Sequence, residues 1–160
     1  MIGTYLGTNI MQSRSLEIDR TYLKMAKQWA QLSRAKRMKV GCLVVRDRMI
    51  ISDGFNGTPR GFDNTCEQLN TVSEQMNGGD KMITKPEVLH AESNAITKLA
   101  MSTISSKNST MYVTLSPCLD CAKLIIQCGI KRVVFNELYR ITTGVALLKQ
   151  GDIIVDCIEL

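Results

Sequence analysis

Histidine is nearly missing from this chain: its 160 residues include one, His90, so no site built from several imidazoles can form. Cysteine is present but unsuited to a disulfide framework. The six, at positions 42, 66, 118, 121, 128 and 157, are sparse and irregular, which fits a reducing cytosol and not a secreted scaffold. A second Cys-x-x-Cys beside Cys118 and Cys121 is lacking, so a four-cysteine structural knuckle is excluded. No hydrophobic run approaches the roughly 20 residues of a transmembrane helix. Met1 to Ser15 has no basic segment followed by an apolar one, so no secretory leader is expected. The reading is a cytoplasmic chain (host cytoplasm if viral) with no membrane partner. Strong charge is lacking too. A net +5, from 20 basic and 15 acidic residues, favours an anionic small ligand but falls short of a nucleic-acid surface.

What is present centres on two short stretches. His90 stands two residues before Glu92, and Pro117 is followed by Cys118 and Cys121. One imidazole and two thiolates are three ligands of the kind zinc prefers, and the fourth tetrahedral position stays open for water. His-x-Glu followed by Pro-Cys-x-x-Cys is the signature of zinc-dependent nucleobase deaminases. Zinc lowers the pKa of a bound water from about 15.7 to about 7, and a nearby carboxyl can take its proton and pass it on. Glu92 is the candidate shuttle, as general base and then general acid. It is not expected to be a ligand, because a fourth protein donor would close the site. Cys42, Cys66, Cys128 and Cys157 read as small core or pocket residues.

Both stretches fall at expected helix beginnings, where free N–H groups and the macrodipole favour thiolates. Cys118 and Cys121, at i and i+3, share one helical face. His90 and Glu92, at i and i+2, do not face each other on a regular helix. The site must therefore lie off the helix end.

Residues 1–14 show no clear period and read as a loosely ordered N-terminal segment, and 15–160 as a single domain. Leu16 to about Arg34 places its apolar residues on one helical stripe, with the basic run Arg34–Lys39 at its C-terminus. Val40–Val45 and Met49–Ser52, continuing to Gly54, read as a β-hairpin. Gly54–Gly61, with three glycines and a proline, reads as a shaped loop. Phe62–Leu89 is polar, with at most a short helix over 67–76, and is the candidate lid or oligomer contact. Then follow a helix over His90–Met101, a strand over Thr110–Ser116, a helix from the Pro117–Cys118 junction to Gly129, a strand over Ile130–Phe135, a helix over Thr142–Lys149 and a strand over Asp152–Ile158. Strand, helix, strand over 110–135 implies a right-handed parallel crossover. The fold class is α/β: a three-layer α/β/α sandwich around a mixed five-stranded sheet.

The runs VGCLVV, GFNGTPRG, HAESNAI and MYVTLSPCLDCAKLIIQCGIKRVVF together resemble the deoxycytidylate (dCMP) deaminases of bacteriophages and eukaryotes, over roughly residues 18–157. The resemblance implies a cytidine deaminase-like fold. It also implies hydrolytic deamination of dCMP to dUMP in a cytoplasmic homohexamer. It makes His90, Cys118 and Cys121 the ligands of one Zn2+ and Glu92 the proton shuttle. Asn56 is implied at the substrate sugar, Ala91 and Ser116 as further substrate contacts, and Arg60, Lys39 and Tyr139 at the 5′-phosphate or base. Some relatives are activated by dCTP and inhibited by dTTP, with Mg2+ on the triphosphate, through a stretch resembling Gly54-Phe55-Asn56-Gly57. Phe55 stands where that pattern has tyrosine, keeping a ring but removing a hydroxyl.

Rival readings are a deaminase acting on dCTP or on tRNA adenosine, and a catalytically inactive zinc-stabilised binding module. A tRNA-directed enzyme would want a more basic surface. A free cytidine deaminase would want a second asparagine and glutamate pair around the sugar. A riboflavin-pathway enzyme would want an additional reductase domain.

Overall fold

The computed structural model describes residues 4–69 and 82–160. It opens with α1 (Thr4–Ala30), 27 residues long, whose buried stripe is Leu23, Ala26 and Ala30. The first residues of the helix fall within the 1–14 segment. It also ends four residues before Arg34. The amides of Gln31, Leu32 and Ser33 turn three residues back, to Gln28, Trp29 and Ala30. The Ser33 hydroxyl donates to Asn56 O at 2.7 Å and accepts from Ala35 N–H at 3.2 Å. These bonds pull the chain off the helix axis, so the basic run Arg34–Lys39 forms a loop and does not cap the helix.

β1 (Gly41–Arg46) and β2 (Met49–Phe55) form the expected antiparallel hairpin. Asp47 and Arg48 both take positive φ, 52° and 63°, the conformation a two-residue type I′ connection demands. The chain continues through β3 (Glu67–Leu69), β4 (Met82–Thr84), α2 (Ala91–Ala100), β5 (Thr110–Leu115), α3 (Leu119–Gln127), β6 (Arg132–Glu137), α4 (Thr143–Gln150) and β7 (Ile154–Cys157). The main sheet has the order β2-β1-β5-β6-β7. β1 runs antiparallel to both neighbours, while β5, β6 and β7 are parallel. This is the mixed five-stranded sheet expected.

Side chains alternate across it, as the pleat requires. Cys42, Val44, Met111, Val113, Val133 and Phe135 pack with Ala95, Ala122, Ile125 and Leu148 from α2, α3 and α4. Leu43, Val45, Tyr112 and Val134 pack on the other face with Leu23 and Ala26 of α1. Three layers result. The α1 face is locked by a polar cluster: buried Asp19 takes both Arg132 Nη1 at 2.9 Å and Nη2 at 2.7 Å, Arg132 Nε reaches Asp156 at 2.7 Å, and the Tyr112 hydroxyl donates to Asp19 at 2.7 Å.

The helix expected over 67–76 is not what forms in the described part of that stretch. Glu67–Leu69 pairs with Met82–Thr84 as a small second sheet, and residues 70–81 lie outside the described residues. Cys66 decides the local geometry: its side chain is buried with Ala35 and Val88, and its carbonyl accepts from Lys85 N–H at 2.9 Å.

Candidate active site

Two helix N-termini meet at the floor of a cavity of ≈ 340 Å³. His90 is the N-cap of α2, at φ −73° and ψ 158°, and Cys118 the N-cap of α3, at φ −74° and ψ 174°. Both are extended, with neither side chain capping its own helix. This resolves the i, i+2 conflict: His90 leaves the chain before helical twist begins, so it need not share a face with Glu92.

Glycines set how closely the helices approach. A Cβ on Gly54 of β2 would stand 2.1 Å from Ala91 O and 2.8 Å from Ala95 N, so α2 sits directly on the strand backbone. A Cβ on Gly144 of α4 would stand 2.1 Å from Pro117 O and 2.6 Å from Cys118 C. The residue between His90 and Glu92, and the residue bearing the first thiol, are each seated against a glycine.

His90 Nδ1 lies 3.4 Å from Cys118 Sγ and 3.4 Å from Cys121 Sγ, and the three donor atoms fall within 4.8 Å of one another. Zinc bonds of about 2.3 Å to sulfur and about 2.0–2.1 Å to nitrogen, at tetrahedral angles, put S···N at roughly 3.5 Å. The donor set fits zinc. Cys118 is held as a thiolate, its pKa lowered to about 4, first by a hydrogen bond from the Cys121 thiol and then by His90. The Cys121 thiol is pushed up by that same bond and by burial. His90 is raised, chiefly by its bond to Cys118. In physical terms the trio holds protons that a metal ion must displace.

Glu92, 4% exposed, lines the same floor. Burial raises its pKa first, against the lowering effect of its own backbone N–H and of nearby His90. A buried carboxyl whose pKa is raised is a stronger proton acceptor than an exposed one.

Of the sequence-named contacts, Asn56, Ala91, Ser116 and Tyr139 line the cavity. Asn56 bridges to the loop before β1, its Oδ1 accepting Val40 N–H at 2.8 Å and its Nδ2 donating to Met38 O at 2.9 Å. Ser116 Oγ accepts Tyr139 N–H at 2.8 Å, tying the loop after β6 to the end of β5. Lys39 and Arg60 do not line the cavity: Lys39 Nζ donates to Gln31 O at 3.5 Å, and Arg60 is exposed in the turn after Pro59. Arg37 and Arg140 line it instead, with Glu67 and Thr84 from the small sheet. Arg37 sits inside the basic run, where nothing distinguished it from its neighbours. Of the proposed effector residues, Asn56 alone lines this cavity. Gly54 lies under α2, Phe55 O accepts Asn94 Nδ2 at 2.9 Å, and Gly57 pairs with Leu89.

A mixed sheet that aims a His-Cys-Cys set and a buried glutamate from two helix N-termini defines the zinc-dependent deaminase fold. The family described as cytidine and deoxycytidylate deaminase zinc-binding region matches residues 16–137, and the chain belongs to that family. The deoxycytidylate deaminase of Enterobacteria phage T4 is 35% identical over 149 residues, covering 74% of this chain and 77% of that protein. The deoxycytidylate deaminase of Schizosaccharomyces pombe is 34% identical over 137 residues, 83% of this chain but 41% of that one. The chain thus spans less than half the length of the yeast relative. The crystal structure of the dCMP deaminase of cyanophage S-TIM5, in complex with dCMP and dUMP, is 43% identical with a TM-score of 0.78, covering 89% of this chain and 97% of that one.

Proposed function

We propose that this chain hydrolyses dCMP to dUMP and ammonia, supplying dUMP for thymidylate synthesis, with one zinc held by His90, Cys118 and Cys121. The observation that carries the reading is one cavity lined by His90 and Cys118 of the three-donor metal set that Cys121 completes, by the buried Glu92 carboxyl, and by the two arginines Arg37 and Arg140. A phosphate asks for well-placed guanidinium donors, and a free nucleoside would not. When bound, zinc supplies an activated water at neutral pH. Glu92 would take one proton from that water and deliver it to the ring nitrogen as oxygen adds to the amidine carbon, then take the remaining proton from the added hydroxyl and pass it to the amine, which leaves as ammonia as the carbonyl forms. The walls formed by Val40, Val88, Ala91 and Leu115 keep the base dry, while Asn56, Ser116 and Tyr139 offer polar contacts.

The proposal includes regulation by dCTP as activator and dTTP as inhibitor, with Mg2+, through Gly54–Gly57, and assembly as a homohexamer. The relatives' printed names and the phosphate-suited cavity support the substrate; the resemblance of the Gly54–Gly57 run supports the regulation, and the family resemblance over roughly residues 18–157 the assembly.

Ammonia release by the zinc-loaded protein, with dCMP, deoxycytidine and dCTP as separate substrates, tests the reading. Turnover of dCMP with little on deoxycytidine is expected, and turnover of deoxycytidine as fast as dCMP would overturn it. Saturation curves for dCMP unmoved by dCTP or dTTP with Mg2+ would remove the regulatory part. A light-scattering mass other than six chains would remove the hexamer.

A further inference from the structure

Glu67 is a carboxylate buried to 4% exposure in a cavity suited to an anion, and the reaction above makes no use of it. Its Oε1 accepts two consecutive backbone amides, Lys36 N–H at 2.8 Å and Arg37 N–H at 3.1 Å. Directly opposite Glu67 in the small sheet stands Thr84, whose hydroxyl accepts Arg37 Nη1 at 3.3 Å. One cross-strand pair therefore grips both ends of a single arginine, main chain through Glu67 and guanidinium through Thr84. Beneath the grip, Cys66, Val88 and Ala35 form a separate apolar cluster that fixes the ribbon to the loop.

We infer that Glu67 is a positioning residue, which sets Arg37 for the 5′-phosphate, and that the β3–β4 ribbon determines preference for nucleotide over nucleoside. The inference rests on the nucleotide reading above. A loop bearing a flexible arginine gains little from a charge it cannot aim. Two amides fixed by a carboxylate make charge-assisted bonds, roughly twice as strong as neutral ones, and remove the backbone freedom that would blur the side chain's reach.

Replacing Glu67 by alanine removes the acceptor, and E67Q keeps a carbonyl oxygen in the same place. For E67A, KM for dCMP is expected to rise about ten-fold or more with kcat within about three-fold, while kcat/KM for deoxycytidine changes at least five-fold less than that for dCMP. E67Q recovers most of the loss. In an R37A background, E67A adds nothing further, an outcome a merely structural role would not give. Calorimetric binding of dUMP and deoxyuridine to the zinc-loaded variants repeats the comparison without turnover. If E67A is too unstable to purify, T84V tests the guanidinium half of the grip and is expected to raise KM for dCMP alone. Equal effects on nucleotide and nucleoside, or additivity of E67A with R37A, would overturn the inference. Failure of dCMP turnover in the wild type, with dUMP binding still dependent on Glu67 through Arg37, would overturn the reaction and leave the positioning standing.

Discussion

Replacing Gly54 by alanine puts the relation between fold and chemistry at risk with one methyl group. The added Cβ would stand 2.1 Å from Ala91 O, 2.8 Å from Ala95 N and 3.2 Å from Ala91 C. All three are backbone atoms of α2, so no side chain can rotate away. Reaching even 3.0 Å from the oxygen moves the helix by about 1 Å, and the moved turn carries Ala91 between His90 and Glu92. Overpacking of this kind typically costs about 1–3 kcal/mol, and a rigid backbone contact belongs at the upper end. For a chain of this size, about 3 kcal/mol lowers Tm by roughly 6–12 °C. A misplacement of about 1 Å in a catalytic array costs on the order of a hundred-fold in rate. The assay is differential scanning calorimetry alongside zinc content and dCMP turnover, with Gly57→Ala as control, since a Cβ there meets nothing within 4 Å. If Gly54→Ala melts within about 2 °C of wild type and turns over normally while losing its response to dCTP, then Gly54 serves an effector and not the seating of α2.

Glu92→Gln is expected to lower kcat by about a hundred-fold to ten-thousand-fold with zinc content unchanged; full activity would remove the carboxyl from the chemistry. Zinc addition to metal-free protein at pH 7 is expected to release at least one proton per chain, because Cys121 holds its thiol proton through its bond to Cys118 and through burial. A pH-stat titration showing no release would contradict that. Tyr112 donates to Asp19 in a buried site, and burial raises its pKa above the ordinary value of 10. A raised folded-state pKa gives stability that is present below pH 10 and lost as pH rises beyond it. By pH 11 this amounts to about 1.4 kcal/mol relative to pH 8, from one pKa unit being worth 1.36 kcal/mol. Urea unfolding at pH 8 and pH 11 should show that loss in wild type and not in Tyr112→Phe, and parallel pH profiles for the two proteins would refute it.

The same physics explains which parts of the molecule could be read from its sequence. VGCLVV is apolar without a break because β1 is covered on both faces, Cys42 and Val44 toward α2 and Leu43 and Val45 toward α1, so its position was visible. The donor set was visible because zinc restricts ligand chemistry to a few residue types, and the conflict between His90 and Glu92 pointed to a site off the helix end, which the extended N-cap of α2 supplies. The β3–β4 ribbon could not be read, since three residues per strand carry too little period to separate strand from helix. What selects the strand is Cys66 packing on Val88, a contact across 22 positions. The end of α1 failed for a related reason: Ser33 bonds to Asn56, the residue just past the end of β2, and that bond outranks local propensity. Arg37 was hidden for the same cause as Glu67. Each has meaning only through the other, and no local pattern links a residue in a basic loop to a carboxylate 30 positions downstream. Charge composition could say that an anion was welcome, but which of six adjacent positions would meet it was decided by a hydrogen-bonded pair of amides.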